Sequence, residues 1–213
     1  VEAIAMRLEK NSLTFVLVGD WNRLYIQPSW IARNVYKEDK VELGVDNQTS
    51  DYKLSYRCRN VLITPTQSRV LFGAFDLEKT TLEYLVECVN NFLQQAKTPK
   101  LECYGLNCEF SEENSEIFAN MVDKMPDNGT IIANGYEILS TKISRTLKAN
   151  DIILNLEASL EGNVAKFYFN EHHGESLASI PTITIEKIQS FMDSAQNLIA
   201  SFGYTMEEDN DEQ

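Results

Sequence analysis

YKLSYRCRNVLITPTQSRVLFGAF, residues 52–75, decides the fold. Its first eight residues alternate strictly. Tyr52, Leu54, Tyr56 and Cys58 face one way, and Lys53, Ser55, Arg57 and Arg59 face the other. A period of two marks a strand with one face buried and one face wet. VLIT and RVLFGAF follow as two more strands, separated by PTQS, whose residues suit a turn.

Working back toward the N-terminus, SLTFVLVG (residues 12–19) reads as an apolar strand. Asp20-Trp21-Asn22 suits a turn, and Leu24 to Ile26 reads as a short strand. Pro28 then stands where a first helical residue tolerates proline. PSWIARNVY is expected as a two-turn helix with Trp30, Ile31 and Val35 inward. Val41 to Val45 reads as a strand, and DNQTSD after it as a loop. Working forward, Thr80 and Glu83 have capping-box spacing. Leu82, Leu85, Val86, Val89, Phe92 and Leu93 repeat as one helical face.

The second half replays this order. KLECYGLNCEF reads as a strand and SEENSEIFANMVDKM as a helix, with Ile117, Phe118, Met121, Val122 and Met125 on one face. PDNG stops that helix. TIIANGYEI and STKISRTLK read as strands, and DIILNLEASL and VAKFYFN as a hairpin across Glu161-Gly162-Asn163. A long helix is expected from about Ile183 to Phe202, with Gly203 as its cap. Adding 106 to the six apolar positions of the first long helix gives Ile188, Phe191, Met192, Ala195, Leu198 and Ile199, all apolar.

The expected fold class is therefore α+β: antiparallel sheet covered on one face by amphipathic helices, from an internal duplication of a β-α-β(3–4)-α unit. Residues 12–97 would be the first repeat, residues 101–203 a second and acidic repeat, and residues 204–213 an acidic, disordered tail.

At 213 residues the chain can bury a core without staples. Its net charge is −13. Residues 1–100 hold 13 Lys and Arg against 12 Asp and Glu, while residues 101–213 hold 6 against 20. An acidic half repels phosphates and argues against DNA as its direct target. Cys58, Cys88, Cys103 and Cys108 form no CxxC pair, which points to reduced thiols and a cytoplasmic setting. The start VEAIAMRLEK has no signal-peptide pattern. Because it opens on Val1 and not Met, loss of an N-terminal piece is expected. No apolar run reaches the roughly 20 residues that span a bilayer, so no membrane partner is expected.

Glycine-rich phosphate loops, GxSxG and HExxH are all missing, so no cofactor and no catalytic residue are implied. FNEHHGES, residues 169–176, holds both histidines. On an extended strand His172 and His173 point to opposite faces, while Glu171 and His173 share one. They are the candidate metal or acid–base pair, but a catalytic zinc takes three protein ligands. The simpler expectation is a strand running into a polar loop at Gly174.

Lys53, Arg57 and Arg59 form the candidate partner-binding stripe, three cations on one strand face. The leading expectation is a cytoplasmic, non-enzymatic protein-interaction or assembly module, with a protein partner or a second copy preferred over nucleic acid. The alternatives are nucleotide or nucleic-acid binding through the basic strand face, and a metal-dependent hydrolase-like enzyme using Glu171 and His173.

Overall fold

The computed structural model describes residues 5–21, 26–46, 53–96, 101–113, 117–118, 120, 133–134, 138–149, 152–174 and 181–206. They hold eleven strands and three helices of defined extent. The strands are β1 (Ala5–Leu8), β2 (Thr14–Gly19), β3 (Glu42–Asp46), β4 (Lys53–Cys58), β5 (Val61–Pro65), β6 (Arg69–Ala74), β7 (Leu101–Glu113), β8 (Ser140–Ala149), β9 (Ile152–Glu161), β10 (Val164–His173) and β11 (Thr205–Met206). The helices are α1 (Pro28–Trp30, continuing as a π-helical segment Ile31–Tyr36), α2 (Lys79–Gln95) and α3 (Ile185–Ser201). None is long and apolar enough to cross a membrane.

The chain divides into two compact units, neither continuous in sequence. The meander unit comprises Lys10–Asn107 and Glu171–Gln189, and the hairpin unit Val1–Glu9, Cys108–Asn170 and Ser190–Gln213.

In the meander unit the strand order is β3-β4-β5-β6-β2-β7. Every pairing is antiparallel. The alternation expected over residues 52–75 holds across β5 and β6 and at Tyr56 of β4, where Leu54 and Cys58 are only half-buried; Tyr52 lies outside the described residues. Tyr56, Val61, Ile63, Pro65, Val70, Phe72 and Ala74 are buried, while the residues between them are half-buried or exposed. β2 inserts between β6 and β7 and buries Phe15 and Leu17 on the same plan. α2 covers that face with Leu82, Leu85, Val89, Phe92 and Leu93, all buried. Phe92 is the centre of the packing. Its ring meets Trp21 at 5.2 Å, Phe72 at 5.5 Å and Trp30 at 5.9 Å, each edge to face, the geometry aromatic quadrupoles prefer.

α1 begins at Pro28 and ends at Lys37, which adopts the left-handed conformation (φ 58°). It buries Ile31, Val35 and Tyr36, while Trp30 is half-buried. Tyr36 Oη donates to the carbonyl of Tyr56 at 2.7 Å, tying the helix to β4.

In the hairpin unit β10, β9 and β8 follow one another in the sheet. Gly162 makes the β9–β10 turn at φ +60°, a conformation glycine adopts without a Cβ clash. β1 pairs antiparallel with residues 110–111 of β7 and parallel with β11. Phe167 is buried against Phe118, Phe202 and Tyr204, with ring centroids 5.5–5.7 Å away. Phe191, Ala195 and Ile199 of α3 are buried as the helical spacing predicts, but Leu198 is half-buried. Gly203 closes the helix at φ +97°.

The fold class expected from sequence is overturned. The molecule is mostly antiparallel sheet with three short helices, not helices covering a sheet in repeated β-α-β units. Most connections are strand to strand: β3 to β6 run as a meander and β8 to β10 as another. The 106-residue correspondence needs only two helices that each bury one face, which any amphipathic helix on a sheet provides.

Some local expectations also change. Thr80 is the second residue of α2, Glu78 occupies the cap, and no side chain caps the helix, so the capping box does not form. Within residues 204–213, Tyr204 is buried and Thr205–Met206 pair with β1, while 207–213 lie outside the described residues. Of the strand expected at 24–26 only Ile26 is described, and it is in no strand; residues 111–113, expected to open a helix, end β7 instead, and most of the remaining helix and strand expected over 114–138 falls outside the described residues. There, Phe118 is described and buried.

Candidate functional site

Lys53 opens β4 opposite Asp46 of β3. Arg57, four residues on, is exposed. Its guanidinium lies 4.2 Å from the ring centre of Phe75, and its Nε donates to the carbonyl of Arg59 at 3.4 Å. Arg59 has left the strand. It sits in the β4–β5 turn at φ 51°, so the stripe of three on one strand face becomes two strand residues and a turn residue. Arg59 donates to Glu38 Oε1 at 2.8 Å and stacks over Tyr84 at 4.5 Å. The hydrogen bond to Glu38 raises its already high pKa. The carboxylate partner of Arg59 thus comes from the first half of the chain.

Beneath Arg59 lies a polar chain inside the core. Tyr84 Oη donates to the carbonyl of Tyr36 at 3.0 Å and lies 3.5 Å from Cys58 Sγ. Burial pushes the Tyr36 and Tyr84 hydroxyls and the Cys88 thiol above their ordinary values, with neighbouring thiols adding to the shift. Burial alone raises Cys108, and burial with Glu102 raises Cys103. A thiol held protonated is a poor nucleophile, and Cys88 and Cys108, both buried, act as core residues.

β10 remains extended through His173, so Glu171 and His173 share a face as period two requires. His173 Nε2 lies 2.5 Å from Glu171 Oε1, with the two side chains 16% and 7% exposed. His173 stacks on Tyr104 (4.5 Å, 13°), which stacks on Phe15 (5.6 Å, 15°). The Lys187 ammonium hydrogen-bonds the Tyr104 hydroxyl. A buried carboxylate needs such a partner, since desolvating it unpaired is costly. The cluster therefore ties β10, β7 and the first turn of α3 together. Among the described residues no group of three His, Cys, Asp or Glu can hold a metal ion. His172 turns the other way, and its ring fills the space a Cβ on Gly174 would need.

The feature that sequence reasoning missed is the β3 edge. Among the described strands β3 pairs with β4 alone. Leu43 and Val45 stand opposite Tyr56 and Leu54 on the helix-bearing face, yet are 54% and 57% exposed. On that face a groove of about 170 Å³ opens between Leu54, Tyr56 and Pro65 on one side and Ile26 and Pro28 on the other. VELGV announced a strand, but its place at the end of a sheet depends on pairings that no local pattern encodes.

No family model, no curated protein and no solved structure matches this chain.

Proposed function

We propose that this chain is a non-enzymatic protein-interaction module of the cytoplasm, and that it docks its partner on the β3 edge. The observation that carries the reading is the pair Leu43 and Val45, two large apolar side chains more than half exposed on an end strand. An end strand offers unpaired backbone groups to another chain, and proteins normally blunt such edges with charge, proline or a bulge. Apolar side chains on an open edge favour strand addition, in which the backbone supplies affinity and side-chain pockets supply specificity. The groove beside Leu54 and Tyr56 extends the apolar surface. The cytoplasmic setting is supported by four free thiols, two of them buried, since oxidising compartments favour disulfides.

The test compares the wild-type chain with Leu43→Lys/Val45→Lys as bait in the native host, with captured proteins identified by mass spectrometry. The reading expects a captured set lost by the edge variant and kept by a control changed at Lys142 of β8. An unchanged set on the edge variant would overturn it.

A further inference from the structure

We infer that the segment received by β3 is an extended strand of alternating apolar and basic residues from a different protein, an inference that rests on the edge reading above. β3 presents two unlike rows. On the helix-bearing face Leu43 and Val45 continue the apolar surface of Tyr56 and Leu54. On the opposite face Glu42 stands across from Arg57. Arg57 is occupied by Phe75 and the Arg59 carbonyl, and Glu42 is exposed and makes no ion pair among the described residues. An added strand sets its side chains beside both rows at once, because successive residues alternate between faces. Apolar residues then meet Leu43 and Val45, and the cation next to the one opposite Leu43 meets Glu42, continuing the sequence of cation on β4 and acid on β3. Opposite charges across a strand pair stabilise it.

The same charges select against a second copy. Antiparallel self-pairing of ELGVD centred on Gly44 sets Glu42 of each chain opposite Asp46 of the other. Two like-charged pairs directly opposed destabilise such a ladder. A foreign basic strand has no such conflict.

The experiment is a fluorescence-anisotropy titration of the full chain with labelled eight-residue peptides. The probes are alternating Lys-Val, alternating Glu-Val, and a Lys-Val peptide N-methylated at alternate residues, which cannot complete a ladder. The inference expects Lys-Val to bind at least ten-fold tighter than either of the others. It expects Glu42→Lys to erase the preference for Lys over Glu, and Leu43→Lys/Val45→Lys to lose binding. Because the chain carries −13 overall, general attraction for a cation would survive these local changes, so they are the readout. Equal binding of Lys-Val and Glu-Val, both lost with Leu43→Lys/Val45→Lys, overturns the inference and leaves the edge reading standing. Equal binding of the N-methylated peptide overturns strand addition. Binding indifferent to Leu43→Lys/Val45→Lys, or no binding of any peptide, overturns the inference, and the first of these also removes the edge as the docking surface. A concentration-dependent dimer in sedimentation that Leu43→Lys/Val45→Lys abolishes would make a second copy the occupant and overturn it too.

Discussion

Among the described strands β3 and β8 are both end strands, one in each unit, and they treat their outer edges in opposite ways. β8 carries Lys142, Arg145 and Lys148, all exposed, over ten residues. Lys142 reaches Glu157 of β9 at 2.6 Å. Thr146 donates to Asn155, which donates to Asn170, so polar side chains run inward across three strands. Charge along an edge makes a foreign strand desolvate cations before it can pair. β3 has no lysine or arginine in its five residues and shows Leu43 and Val45 to solvent instead. The β8 edge carries cations only, while the β3 edge sets Glu42 and Asp46 beside two exposed apolar side chains, so the β3 edge favours a basic strand that the β8 edge opposes.

The comparison requires that the units differ at their edges and not in their cores. Phe92 and Phe167 are each the hub of an aromatic cluster. Phe92→Ala and Phe167→Ala are each expected to cost about 3–5 kcal/mol in urea unfolding. A cost below about 1 kcal/mol for either would show that its unit lacks a packed core.

Next in size is Tyr36→Phe. It removes the buried hydrogen bond that ties α1 to the strand beside the open edge. The expected loss is about 1–3 kcal/mol, read in the same denaturant series. No loss would mean that β4 is held without that bond, and that the support of β3 lies elsewhere.

Exchanging the edge chemistry sharpens the comparison directly. Lys142→Val with Lys148→Val should turn the guarded edge into one that self-associates, seen as rising scattering with concentration. Leu43→Lys with Val45→Lys should change stability by no more than about 0.5 kcal/mol for each residue. A much larger loss in the second variant would mean that Leu43 and Val45 serve the core, not a docking surface.

The smallest expected effect is at the thiols. Cys88 and Cys108, pushed up by burial, stay protonated at pH 8, below their raised folded-state values. Native alkylation at that pH should leave both unmodified, and unfolding should expose both. Rapid native labelling of Cys88 would show that the meander unit opens often.

The meander over residues 52–75 was legible because side-chain alternation is local and each strand pairs with its chain neighbour. The inward face of α2 was legible for the same reason, at helical spacing. Glu171 and His173 sharing a face followed from period two, but Tyr104 and Lys187 beside them arrive from residues some 70 positions back and from the next helix. The exposure of Leu43 and Val45 escaped because a strand's place in a sheet is set by every other pairing, including β2 entering between β6 and β7. Arg59 was misplaced because alternation counts residues without showing where the strand stops and a left-handed turn begins. The inferred duplication failed on similar grounds, since a repeated element order leaves the pairing of strands undetermined.

The open edge at β3 is tested most directly by backbone hydrogen exchange of the full chain, with and without the alternating Lys-Val peptide. Added peptide should slow exchange of amides in Glu42–Asp46 at least ten-fold and leave Ser140–Ala149 unchanged. Slowing at β8 alone, or unchanged exchange across β3 when the peptide is bound, would contradict the account.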